Sequence, residues 1–326
     1  MQQFNGPIFI IGMVRSGTKL LREILNGHSN ISIPAYETEC LIYWERNWHS
    51  FGDLSDYSVF KTFYKSAIKT PFFYYMRERG GGVISAKQWH DECVGFSVAE
   101  VFEALVRNAA NARHKIIWGD KSPSYIRHVP LLKTLYPEAK FIHIVRDVRD
   151  YCLSINKAWG KNMIRAAQRW VDDVSEAHRN INMLGDDGIE VLYEDLLDDP
   201  MMVSRNLCKF LGVEFEESMI RLANAVENIG DAKDKLDIIK NNKEKWKKGM
   251  TEDLINEIEA ITGPLLMEFN YPVTYSGKLK RVSQPRMRWY QILDAWNLVI
   301  NNPETELTKS LLFHLKYFKV TGNRVK

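Results

Sequence analysis

Two short stretches of this 326-residue chain combine positive charge with turns that can expose backbone amides. The first is Gly12-Met13-Val14-Arg15-Ser16-Gly17-Thr18-Lys19. It follows the apolar run Pro7-Ile8-Phe9-Ile10-Ile11 and leads into Leu20, Leu21, Ile24 and Leu25 at helical spacing. A loop that opens a helix points several N–H groups at one spot, and the helix dipole favours an anion there. Arg15 and Lys19 add full charges. The second stretch runs from Phe141 to Asp150, where Arg146 ends an apolar run and Ser154 follows eight residues later. The carboxyl ends of strands are where open α/β sheets bind ligands. A guanidinium there offers phosphate a planar fork of donors. The chemistry implied is the gripping of phosphate-like anions.

The first loop is not built for Mg-ATP. A Walker A loop needs Gly-x4-Gly-Lys-Ser/Thr. Gly12 and Gly17 have that spacing, but Thr18-Lys19 reverses the order that follows. The hydroxyl that would ligate magnesium falls at Lys19. The lysine is displaced by one residue, about 100° around a helix.

The elements that must position these loops read as an α/β fold. Apolar runs at residues 7–12, 115–118, 140–145 and 189–193 predict buried strands. Helical spacing predicts helices over 97–113, 124–135, 148–159, 163–184, 201–211 and 251–269, with Ser97 and Glu100 as a capping box and Thr251 as a cap. Strands separated by helices imply a parallel sheet covered on both faces, a P-loop-like three-layer α/β/α arrangement. Residues 27–96 are polar, rich in aromatics and mostly helical or loop-like, with a Gly80-Gly81-Gly82 break.

Composition excludes several function classes. The chain is 45% hydrophobic and 26% charged, with a net charge of +3. That is globular and not the charge of a nucleic-acid binder. No apolar run approaches the ~20 residues that span a bilayer. Residues 1–6 lack the n- and h-regions of a secretory signal. Cys40, Cys93, Cys152 and Cys208 form no CxxC pair. A reducing, cytoplasmic setting is expected. Residues 276–326 differ from the rest, with ten Lys/Arg against three Asp/Glu and the aromatics Trp289, Tyr290, Trp296, Phe313, Tyr317 and Phe318. The chain is therefore divided into a domain over 1–275 and a basic helical extension over 276–326. The extension is expected to pack as helices on the core, or to meet an anionic glycan, a membrane surface or a second subunit.

Arg-Ser-Gly-Thr after an apolar strand resembles the 5′-phosphosulfate loop of sulfotransferases, and of bacterial and tyrosylprotein sulfotransferases above all. The ordered motifs of the resemblance cover about residues 7–272. It implies 3′-phosphoadenosine-5′-phosphosulfate (PAPS) as co-substrate, 3′-phosphoadenosine-5′-phosphate (PAP) as product and no metal. The residues implied at the 5′ end are Arg15, Ser16, Gly17, Thr18, Lys19 and Leu20. Lys19 departs from the family, which usually has a second threonine there. Arg146 and Ser154 match the 3′-phosphate site, and Tyr193 matches a tyrosine that contacts the nucleotide. Residues 238–248 resemble the late loop over the nucleotide, with Lys240, Lys243, Lys245, Lys247 and Lys248 as candidate contacts and Lys240 placed first.

Pro34-Ala35-Tyr36-Glu37-Thr38-Glu39 resembles the segment that presents a catalytic glutamate, with Glu37 as the base and Glu39 in reserve. Asp120-Lys121-Ser122-Pro123 resembles the Lys-x-Pro element, with Lys121 at the transferred group. His28, His114 and His128 rank below Glu37 because none sits in a matching motif. The resemblance implies transfer of a sulfuryl group to a hydroxyl, with carbohydrate first and lipid, sterol or peptide tyrosine as further acceptors. The aromatics of residues 43–75 are expected to line the acceptor cleft. The alternatives are a P-loop kinase and a non-catalytic nucleotide- or glycan-binding module.

Overall fold

The computed structural model describes residues 4–78, 82–110, 115–224 and 234–300. Strand β1 (Ile8–Gly12) runs into the loop and helix α1 (Thr18–Asn26), followed by the short strand β2 (Ile31–Ser32). Five helices precede the next strand: α2 (Leu41–Asn47), α3 (Tyr57–Ala67), α4 (Pro71–Glu78), α5 (Ala86–Glu92) and α6 (Val98–Ala109). Then come β3 (Ile117–Lys121), α7 (Val129–Leu135), β4 (Lys140–Val145), α8 (Val148–Trp159) and α9 (Met163–Met183). Strand β5 (Gly188–Leu192) leads to α10 (Tyr193–Asp198) and α11 (Pro200–Leu211). Short α12 (Trp246–Gly249), α13 (Glu252–Glu268) and α14 (Gln284–Ile300) complete the described chain.

The strands form one sheet in the order β2-β3-β1-β4-β5, and every pairing is parallel. Because side chains alternate along a strand, each face of β1 and β4 feeds a different core. Ile8, Ile10, Ile142 and Ile144 pack with Leu21 and Ile24 of α1 and Leu207 of α11. Phe9, Ile11, Phe141 and Val145 face the layer that contains α6, α8, α9 and α13. The expected α/β/α sandwich is present.

The chain leaves β1 for β2 on one edge and leaves β4 for β5 on the other. The crevice between β1 and β4 is thus the switch point of the sheet, where ligands bind at the carboxyl ends of strands.

Several elements differ from the sequence reading. The second long strand was expected at 115–118 and lies at Ile117–Lys121. Its last residues, Asp120 and Lys121, are polar yet buried, because Thr38 and Glu37 partner them. The helix expected over 124–135 is a 3₁₀ turn (Pro123–Arg127) followed by α7, with Pro130 in its first turn. Tyr193 opens a helix instead of ending a strand. The aromatics of the α2–α5 region are mostly core: Trp44, Phe60, Phe63, Phe72, Phe73 and Trp89 are buried against one another. Of these rings, Phe72 also borders a cavity beside Tyr36. Gly80, Gly81, His114, the end of the helix expected to reach 113 and the aromatics at 313, 317 and 318 lie outside the described residues.

The start of the extension is joined to the body. The Val282 N–H donates to Gln168 Oε1 at 2.8 Å, and Asp294 accepts from Arg165 at 2.7 Å.

Candidate active site

The loop after β1 is shaped by two unusual backbone positions. Arg15 has φ 69° and Gly17 has φ 94°. At Gly17 the left-handed conformation is only half the requirement. A Cβ there would sit 2.3 Å from Cδ2 of the Tyr193 ring, so the ring and the loop can close together only over a glycine. The first helical bond runs from the Leu21 N–H to the Gly17 carbonyl at 3.0 Å. The amides of Thr18, Lys19 and Leu20 precede it and point out of the helix start. Leu20 itself packs in the core beside α1, so what it offers the loop is its backbone. Ser16 is buried, and its Oγ has no hydrogen-bond partner among the described residues.

Arg146 follows β4 and reaches back to this loop. Its Nη1 donates to the Arg15 carbonyl at 2.9 Å and its Nη2 to the Asn242 carbonyl at 3.0 Å. Its guanidinium lies 4.5 Å from the centre of the Tyr193 ring, a cation–π distance. Arg146 Nε is buried and has no hydrogen-bond partner among the described residues. Asp147 and Asp150 follow Arg146 closely in the chain and could have paired with it. Asp147 is instead held by Arg149 at 2.7 Å, and Asp150 accepts from the Trp246 N–H at 2.9 Å. Arg15 Nε donates to Ser154 Oγ at 3.3 Å. Arg15, expected at the 5′ end of the nucleotide, and Ser154, expected at its 3′-phosphate, are therefore in contact.

The late loop docks through Asn242. Its side-chain amide donates to the Tyr193 hydroxyl at 2.7 Å and its Oδ1 accepts from Lys245 at 2.6 Å. Lys240, expected to contact the nucleotide, is exposed in the same loop, whereas Lys245 is joined to Asn242. Lys243 and Lys247 pair with Asp198 and Glu244. Nothing in the residue pattern singled out Asn242.

The loop is anchored from below by a buried charge cluster. Arg149 is fully buried between Asp147 and Glu259, and its guanidinium lies 3.8 Å from the Trp246 ring centre. Glu259 also accepts from the Thr274 and Tyr275 N–H groups at 2.8 Å. A cavity of about 370 Å³ lies among Asp147, Asp150, Glu194, Lys243 and Trp246. Its carboxylates would repel a phosphate, so it is not the anion site. Glu194 there is pushed up to about 7, first by burial.

On the same edge of the sheet, Lys121 at the end of β3 forms an ion pair with Glu37. Lys121 is 1% exposed and the Glu37 carboxylate 32%. Glu39 is buried, and its N–H donates to Ser122 Oγ at 3.3 Å. Between the two glutamates, Thr38 Oγ1 donates to Asp120 at 3.0 Å and meets the Tyr125 hydroxyl at 3.1 Å. That buried cluster pins the loop on which Glu37 rides. Asp120 is pushed up to about 6, chiefly by desolvation.

The histidines are placed elsewhere. His28 is buried with its Nε2 2.9 Å from the Glu214 carbonyl. Burial, with Arg46 and Arg127 nearby, pushes His128 down to about 4. No group of three or more His, Cys, Asp and Glu side chains among the described residues is arranged to hold a metal.

Comparison with known proteins identifies the family. Residues 7–217 match the model of the sulfotransferase family, and the chain belongs to that family. Two relatives are 24% and 22% identical. One is an uncharacterized protein of Aquifex aeolicus, aligned over 74% of this chain and 30% of its own length. The other is a Caenorhabditis briggsae protein named "Putative protein-tyrosine sulfotransferase", aligned over 85% and 92%. The chain thus spans under a third of the Aquifex relative. A sulfotransferase domain from the curacin biosynthetic pathway shares the fold, with a TM-score of 0.55 and 21% identity, over 84% of this chain and all of that one. Membership in this family sets aside the kinase reading.

Proposed function

We propose that this protein transfers the sulfuryl group of PAPS to a hydroxyl acceptor, leaving PAP. The observation that carries this is the convergence of Arg15, Ser154, Arg146 and Tyr193 in one crevice, with the Glu37–Lys121 pair on the same edge of the sheet. The residues fit such a nucleotide. Ser16 Oγ and Arg146 Nε are buried donors without partners among the described residues, and the first-turn amides of α1 face the loop.

When bound, the nucleotide supplies a sulfuryl group carried on a phosphate leaving group. Arg15 and the start of α1 hold its 5′ end, with Ser16, Gly17, Thr18, Lys19 and Leu20 in the loop. Arg146 and Ser154 hold its 3′-phosphate, and Tyr193 and the 240–245 loop flank it. Glu37 accepts the proton of the acceptor hydroxyl, a role typically worth about 10²–10⁴ in rate. The Lys121 ammonium steadies Glu37 and, with Arg15, the negative charge that grows on the leaving oxygen.

A cavity of about 290 Å³ lined by Pro34, Tyr36, Phe72, Met76 and Asn108 adjoins the Glu37 segment. It offers the acceptor a mainly apolar wall. Carbohydrate, lipid or sterol alcohols and, from the name of the Caenorhabditis relative, peptide tyrosine are the acceptors to try. All four cysteines are free, which suits a cytoplasmic setting. Among the described residues no helix is long and apolar enough to cross a membrane.

The test is incubation with labelled PAPS and a pooled acceptor panel, read by mass spectrometry. A product heavier by one sulfuryl group, formed equally with EDTA present, is expected. PAP binding without transfer to any acceptor would support a binding module instead.

A further inference from the structure

Helix α14 has two faces of opposite character. Its inner face is fixed to the body. Asp294 accepts from the Asn162 N–H and from Arg165, both at 2.7 Å, and Asn297 donates to the Gly160 carbonyl at 3.0 Å. Met287 and Tyr290 pack against the core. The outer face carries Trp289, Ile292, Leu293 and Trp296, which are 58%, 50%, 37% and 62% exposed. Their i, i+3, i+4, i+7 spacing puts them on one stripe.

Positive charge borders that stripe. At about 100° per residue, Arg286 and Arg288 fall on its opposite sides, and both are exposed. Lys278, Lys280 and Arg281 precede the helix and flank Leu279, itself exposed. Arg281 is paired with Asp172. The carboxylate within residues 276–300, Asp294, is turned inward to Arg165 and buried. The outer face therefore presents tryptophans and cations with no exposed acid of its own.

We infer that this face docks on an anionic lipid surface. Tryptophan favours the boundary between headgroups and acyl chains, and arginines beside an apolar stripe meet anionic headgroups. A second copy of this chain fits less well. A second copy would bring the same cations, Arg286 and Arg288, and no exposed carboxylate from residues 276–300 to pair with them. The inference stands apart from the identity of the acceptor.

The experiment is co-sedimentation of the full chain with phosphatidylcholine vesicles, with and without about one-third phosphatidylserine. Binding to the anionic vesicles is expected, with a blue shift of tryptophan fluorescence and loss at high salt. Arg286→Gln and Arg288→Gln should each weaken it about fivefold. Trp289→Ser with Trp296→Ser should weaken it at least about tenfold, since two large rings leave the interface. Circular dichroism checks that the variants fold, and the arginine variants carry the test alone if the tryptophan pair does not. Failure to bind anionic vesicles, equal binding to neutral ones, or unchanged binding by the arginine variants would overturn the inference. So would a concentration-dependent dimer, seen by analytical ultracentrifugation, that the tryptophan substitutions abolish.

Discussion

Glu37→Gln separates the chemistry from the scaffold. The substitution keeps an oxygen to accept from Lys121 and removes the charge that can take a proton. Lys121 is 1% exposed and its partner about one-third exposed, so the lost ion pair is only half-buried. Replacing a charged acceptor with a neutral one there should cost about 1–2 kcal/mol of stability. Against a typical total of about 5–15 kcal/mol, nearly all molecules stay folded. The rate should fall far more, by about 10²–10⁴, which is about 3–5.5 kcal/mol in the barrier. Destabilisation cannot supply that loss, so the two effects are distinguishable. The assay is product formation by mass spectrometry, with PAP affinity measured calorimetrically on the same sample. Turnover should collapse while PAP affinity stays within a few fold. Turnover within about fivefold of the wild type would refute a base at Glu37. A parallel loss of PAP affinity would show that Glu37 holds the nucleotide instead.

Other outcomes follow from the surrounding packing. Gly17→Ala puts a methyl 2.3 Å from the Tyr193 ring at φ 94°, and should cost about 1–3 kcal/mol and most PAP binding; unchanged calorimetric affinity would contradict this. Arg149→Met leaves Asp147 and Glu259 without their buried cation, and should lower stability in urea unfolding by about 3–5 kcal/mol. Glu194 titrates near 7 when folded, well above its ordinary 4.5. Its contribution to stability is full below about pH 4.5 and is lost as pH rises through about 7. Wild type should thus lose stability relative to Glu194→Gln between those limits, and parallel pH profiles would contradict the assignment.

The parts of the fold that were legible share a physical signature. Strand β4 and helix α8 appear where the sequence puts them, because a continuous apolar run meets Asp147, whose side chain caps the Arg149 N–H at 2.9 Å. The loop after β1 was legible for the same reason: strand, glycine and helix follow without interruption. Strand β3 was misread because its polar end, Asp120-Lys121, is satisfied by Thr38 and Glu37, more than 80 residues away. Periodicity cannot see such a partner. Two-residue β2 is too short to leave a pattern. Arg15, Arg146, Ser154 and Tyr193 were singled out through their motifs, and the structure brings them into contact. Asn242 was missed because its role depends on where the loop lands, not on neighbours in sequence. The aromatics at 43–75 were ambiguous because a buried ring cluster and a cleft wall have the same composition, and Phe72 belongs to both.

By the proposed function, one crevice grips two separate phosphates of one adenosine compound. Calorimetric titration of PAP and of adenosine 5′-phosphate against wild type and Arg146→Ala tests it most directly. Arg146→Ala should weaken PAP by about 10- to 100-fold, the worth of hydrogen bonds to a charged group, and leave the monophosphate nearly unchanged. Equal weakening of both nucleotides, or no binding of PAP by the wild type, would contradict it.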